Sequence, residues 1–166
     1  MRDVQVGVVL APPGEPGEWL AEGAAFEAAG VDALWLDHGP APELDPLVLA
    51  AALAALTYRA RLVAAVPDGR AQALATLDRV SRGRLALISG DGPVLRLGEG
   101  AYADGDGRRW VPAEVPLGRT AWRELLRERG ERGDYGVLVP ADPRLLDLLR
   151  NPDDPGGRED LQLAQG

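Results

Sequence analysis

Val4-Gln5-Val6-Gly7-Val8-Val9-Leu10 is short, β-branched and apolar at all but one side chain, with no regular alternation of polar and apolar positions. A strand of that kind is covered on both faces, as in a parallel sheet flanked by helices. The same type of run returns as Ala33-Leu34-Trp35-Leu36, as Arg61-Leu62-Val63-Ala64-Ala65-Val66 and as Arg84-Leu85-Ala86-Leu87-Ile88. Helical patterns separate these runs. Trp19, Leu20, Ala24, Phe26 and Ala29 recur at helical spacing from Glu18 to Ala29, with Gly30 as the stop. Asp45-Pro46 is a strong helix start before Leu47 to Tyr58, and a third helix spans Ala71 to Ser81, stopped by Gly83. Strictly alternating strands and helices define an α/β chain with a parallel sheet.

After Ser89 the rhythm changes. Gly90-Asp91-Gly92-Pro93 reads as a turn, Val94 to Leu97 as a short strand and Gly98 to Gly107 as a loop. Arg109-Trp110-Val111 pairs back as the second arm of a hairpin on this reading. Thr120 is placed to cap a helix running to Arg129, Tyr135 to Val139 forms a fifth parallel strand, and Asp142-Pro143 opens a last helix to Arg150. A complete eightfold β/α barrel takes at least about 200 residues, more than the 166 present. The chain is therefore not a complete barrel, and the elements read as an α/β parallel sheet of about five strands, with helices and an inserted β-hairpin. One domain covers residues 1–150, and residues 151–166 form a polar tail.

Composition narrows the chemistry. A hydrophobic content of 46% suffices for one core. Without cysteine there are no disulfides, thiolate metal sites or thiol nucleophiles. All basic residues are arginine, which excludes Schiff-base chemistry and a P-loop. The net charge of −8 disfavours nucleic acid as a partner. No apolar stretch resembles a leader or a membrane span, so a cytoplasmic location is expected.

Three places carry candidate chemistry. His38, the single histidine, follows Asp37 at the carboxyl end of the second strand, where ligands of parallel α/β proteins bind. Imidazole titrates near neutrality, so the pair can move a proton; hydrogen bonding within the turn is the alternative. Gly90 and Gly92 end the fourth strand, where paired glycines let a ligand approach the backbone or simply make the turn. Arg119 begins a helix and offers a phosphate contact, although its neighbours suggest a salt-bridged outer face. No cluster has metal-ligand spacing.

The segments Glu27-Ala28-Ala29-Gly30-Val31-Asp32-Ala33-Leu34-Trp35-Leu36-Asp37-His38, Pro46 through Ala55, Leu56-Thr57-Tyr58-Arg59-Ala60-Arg61-Leu62 and Ala75 through Leu85 follow in an order and spacing that resembles the luciferase-like monooxygenase family of flavin- and F420-dependent oxidoreductases. The resemblance covers residues 4 to 92. It implies a β/α barrel binding FMN or F420 at the strand carboxyl ends, so that this chain is expected to be a shortened (β/α) barrel-like sheet, with Asp37 and His38 facing cofactor and substrate. It also implies that Ala64, Ala65 and Val66 press on the cofactor ring and that Gly90 and Gly92 line the same mouth. The loop after Val66 is cut to Pro67-Asp68-Gly69-Arg70, and the later βα units that help hold a cofactor phosphate are missing.

Two functions follow from this resemblance. One is an oxidoreductase of reduced size acting on a small molecule, with His38 shuttling a proton and Asp37 orienting it. The other is a non-catalytic binding or subunit-interaction module. A sheet cut from a barrel has open edges, so the expected assembly is a homodimer.

Overall fold

The computed structural model describes residues 3–89 and 92–150. Five parallel strands and their helices lie close to their sequence-predicted positions. The first four, with their helices, are β1 (Gln5–Val9), α1 (Pro16–Ala29), β2 (Ala33–Leu36), α2 (Pro46–Leu56), β3 (Arg61–Ala65), α3 (Ala71–Val80) and β4 (Leu85–Ile88). The segment between β4 and the next helix supplies three strands, β5 (Leu95–Gly98), β6 (Ala101–Ala103) and β7 (Arg109–Pro112). It is followed by α4 (Arg119–Glu131), β8 (Gly136–Pro140) and α5 (Pro143–Arg150).

The strands form one sheet in the order β4-β3-β2-β1-β8-β7-β6-β5. A parallel bridge between Ile88 and Val94 brings its two ends together. The sheet is thus a nearly closed barrel of eight strands, not about five. The expected hairpin is a three-stranded meander: Arg109–Val111 pairs with β6 and β8 and does not return to β5. A meander needs only tight turns where βα units need helices, so a short chain can close a barrel this way. Glu99 and Gly100, with φ of 50° and 73°, make the turn between β5 and β6, the positive-φ pair that a two-residue hairpin requires. The open edges behind the expectation of a two-fold partner are correspondingly reduced.

β1, β2, β3 and β8 bury both faces, while β4 is only partly covered. Val6, Val8, Leu34, Leu36, Leu62, Ala64, Val137 and Val139 point outward beneath the helices, against Phe26, Leu53 and Leu145. Trp35, Val63, Ile88, Trp110 and Leu138 point into the barrel. Inside, Trp35 stacks on Tyr102 at 4.7 Å and meets Trp110 edge-on at 5.6 Å, and Trp110 meets Tyr135 at 5.4 Å. Two glycines make room for the indoles. A Cβ on Gly7 would lie 2.7 Å from Trp35 Nε1, and one on Gly136, the register partner of Trp110, would clash with carbons of the Trp110 ring. The Trp35 indole N–H is buried without a hydrogen-bond partner, a cost of about 1–3 kcal/mol that close ring packing offsets.

The amino-terminal end of the barrel is tied by buried polar side chains. Glu27 of α1 accepts backbone N–H bonds from Tyr58, Arg59 and Ala60 at 2.6–2.9 Å. Burial pushes this carboxyl up, but those donors and the charge of Arg84 hold it below its ordinary value. Arg84 donates to the Ala54, Thr57 and Ala60 carbonyls, closing the carboxyl end of α2, and to Thr57 Oγ1 and the Ser81 carbonyl. One expectation shifts at α4, whose N-cap is Gly118 rather than Thr120; Arg119 is salt-bridged, donating to Asp147 of α5 at 2.9 and 3.0 Å, in line with the ion-pair reading of that helix. The polar tail expected over residues 151–166 lies outside the described residues.

Substituting Gly136 by alanine drives a methyl group into the Trp110 indole. It should destabilise the chain by about 1–3 kcal/mol in urea unfolding. Adding Trp110→Leu should recover part of that loss. A Gly136→Ala variant as stable as the parent would contradict the packing described.

Candidate active site

The carboxyl ends of the parallel strands open into a cleft of about 810 Å³. Its lining follows from strand parity. β3 turns Val63 and Ala65 inward, so Ala65 and the following Val66 reach the mouth, while Ala64 points out into the helix-covered layer. Ile88 and Ser89 arrive at the end of β4. Pro40, Pro42 and Pro46 from the loop before α2, with Pro67 and Asp68 after β3, form the walls. Asp37 and Gly39 come from the end of β2, and Arg96 crosses from β5.

Asp37 is the centre of the polar side of this cleft. Arg96 donates to its two carboxylate oxygens at 2.9 and 2.5 Å, and the Tyr102 hydroxyl donates at 2.6 Å. Arg96 and Tyr102 are register partners on β5 and β6, which places them side by side. The three groups therefore tie the meander to β2 across the barrel mouth. Burial opposes the charge on Asp37, but the bonds from Arg96 and Tyr102, the Arg96 charge and the Gly39 backbone N–H hold its carboxyl below the usual range. Burial, together with the bond to ionised Asp37, pushes the Tyr102 phenol up to about 12. At neutral pH the cluster holds a carboxylate, a guanidinium and a protonated phenol.

His38 turns the other way. Its Nε2 lies 3.1 Å from the Leu10 carbonyl, and its ring meets Trp19 edge-on at 5.9 Å. A carbonyl only accepts, so Nε2 carries the proton in the neutral ring and Nδ1 carries the lone pair. Burial lowers the His38 pKa against the opposing effects of the Leu10 bond and the Asp37 charge. Asp37 and His38 are thus neighbours in sequence that use different hydrogen-bond partners.

Of the sequence candidates, Asp37, Ala65 and Val66 line the cleft, whereas Ala64 points out beneath the helices and His38 turns to Leu10 and Trp19. Gly92 belongs to the β4–β5 turn, where a Cβ would overlap Ser89 Oγ; Gly90 lies outside the described residues. Arg96 and Tyr102 were not anticipated. Their signal was Val94 to Tyr102, in which Arg96 interrupts an apolar run and Gly98-Glu99-Gly100 can make a tight hairpin turn. Among the described residues no group of acidic or histidine side chains could hold a metal ion, and no helix is long and apolar enough to cross a membrane.

Residues 5–121 match the family described as luciferase-like monooxygenase. Two solved structures are similar over part of the chain. One is the coenzyme F420-dependent tetrahydromethanopterin reductase of Methanopyrus kandleri, at 19% identity and a TM-score of 0.42, over 52% of this chain and 27% of that one. The other is the monooxygenase RslO1 of Streptomyces bottropensis, at 23% identity and a TM-score of 0.42, over 78% of this chain and 40% of that one. The matched region thus spans well under half of either protein.

The lowered His38 pKa gives a stability test. Below the ordinary value of 6.5 the unfolded chain binds a proton that the folded chain resists. Stability is therefore complete above 6.5 and falls as the pH drops from there toward the folded value. His38→Gln should remove this slope in urea midpoints measured from about pH 8 to about pH 5. The acid loss from Glu27 and Asp37, whose carboxyls titrate below their ordinary values of 4.5 and 3.8, should remain. Parallel curves for the two proteins would show that His38 is not desolvated.

Proposed function

The chain belongs to the luciferase-like monooxygenase family, and from that membership we propose an oxidoreductase that receives the ring of a flavin or of F420 in the cleft at the strand carboxyl ends. The observation that carries this reading is the cleft itself: about 810 Å³, with an apolar floor at Ala65, Val66 and Ile88 and proline walls. Such a surface suits a planar tricyclic ring, which gains most from flat apolar contact. Ser89 and the Asp37–Arg96 pair supply the polar rim that orients it. The bound group would supply hydride transfer.

The protein's part is to hold, orient and exchange a proton. Asp37 stays ionised and fixed by Arg96 and Tyr102, which makes it a constant negative charge beside the imidazole. His38 is neutral at rest, with Nδ1 available to accept a proton. Burial disfavours the imidazolium form and the Asp37 charge offsets part of that effect, so a proton taken up by His38 is readily returned. Tyr102, with its phenol near 12, remains a donor to Asp37 and takes no part in the exchange.

Titration of the purified chain with FMN and with F420, followed by ligand fluorescence, should give saturable binding of at least one below about 100 µM. His38→Gln should then leave affinity within about threefold and reduce turnover by roughly 100-fold or more. No binding of either compound would contradict the reading, and unchanged turnover would remove His38 from it.

A further inference from the structure

The charged groups around the cleft discriminate between the two ends of a flavin-like molecule. Asp37, Asp68 and Arg96 are the charged side chains among the described lining residues, so the rim carries one more negative charge than positive. Arg96 is not available as a phosphate fork, because Asp37 already occupies it through two bonds. Arg70, two residues after the cleft's Asp68, is engaged as well, pairing with Asp45 at 2.9 Å. The helix that starts beside the cleft offers no anion site either, since the Asp45 carboxylate accepts the N–H bonds of Leu47 and Val48 in the first turn of α2.

A phosphate monoester brought to this rim meets Asp68 and a neutralised arginine, within a chain whose net charge is −8. A neutral tricyclic ring meets proline, alanine, valine and isoleucine. We infer that the cleft recognises the uncharged ring alone and prefers a phosphate-free flavin or deazaflavin to its phosphorylated form. This rests on the proposed function, since it takes the cleft as the ring site. It goes further in assigning the ligand class and in making Asp68 a specificity determinant that rejects the phosphate.

Riboflavin and FMN differ only in the terminal phosphate, so their comparison isolates it. Fluorescence titration of the full chain should show riboflavin binding at least as tightly as FMN. Added salt should narrow any difference, because the repulsion is between solvent-exposed charges. Asp68→Asn should tighten FMN by about threefold to tenfold and leave riboflavin within twofold. FMN binding tenfold or more tightly than riboflavin in the parent chain would overturn the inference while leaving the ring site intact. An equal response of both ligands to Asp68→Asn would also overturn it. Failure of both ligands to bind would overturn the ring site and, with it, this inference.

Discussion

Two tryptophans packed against two glycines set the terms for the rest of the molecule. A barrel of eight strands has an interior just wide enough for its own side chains. Here Trp35 and Trp110 occupy much of it, and both lie where a neighbouring strand has no Cβ, at Gly7 and Gly136. The aromatic column continues through Tyr102 and Tyr135, so β2, β6, β7 and the start of β8 share one packed centre. That centre lets a three-stranded meander stand in for longer βα units. It also fixes the depth of the carboxyl-end cleft, which sits above this packed layer.

The two ends of the barrel are built differently. At the amino-terminal end the polar side chains serve the backbone. Glu27 takes three N–H groups of the α2–β3 connection, Arg84 takes the carbonyls at the end of α2, and Asp104 pairs with Arg108 and accepts from the β6–β7 turn. Each satisfies a group that would otherwise be buried without a partner, where the cost of loss is largest. At the carboxyl end Asp37, Arg96 and Tyr102 bond to one another across the mouth and leave an open cleft beside them. Side-chain bonds to the backbone gather at one end and the open cleft lies at the other, the end where β/α barrels carry their sites.

The βα part of this fold was legible because its signals are local. Asp45-Pro46, Gly30 and Gly83 mark helix ends, and Val6 to Val9 or Leu62 to Ala65 can only be doubly covered strands. The meander was not legible as three strands, because β6 is three residues long and lies in a stretch rich in glycine and aspartate. Closure depends on pairings that no local pattern records. The site divides in the same way. Asp37, Ala65 and Val66 follow from their places at strand ends, but Arg96 and Tyr102 reach Asp37 from 59 and 65 residues away. Ala64 illustrates a further limit: where both faces of a strand are buried, its apolar residues do not reveal which of them point inward.

On the proposed function, the chain receives its ligand in the carboxyl-end cleft, above the tryptophan-filled interior. Amide chemical-shift mapping during titration with riboflavin locates that site. The largest changes should cluster at Gly39, Ala65, Val66, Ser89 and Arg96, which line the cleft. Changes confined to Gln5, Asp32, Arg59 and Arg61, which line the opposite mouth of the barrel, would contradict it.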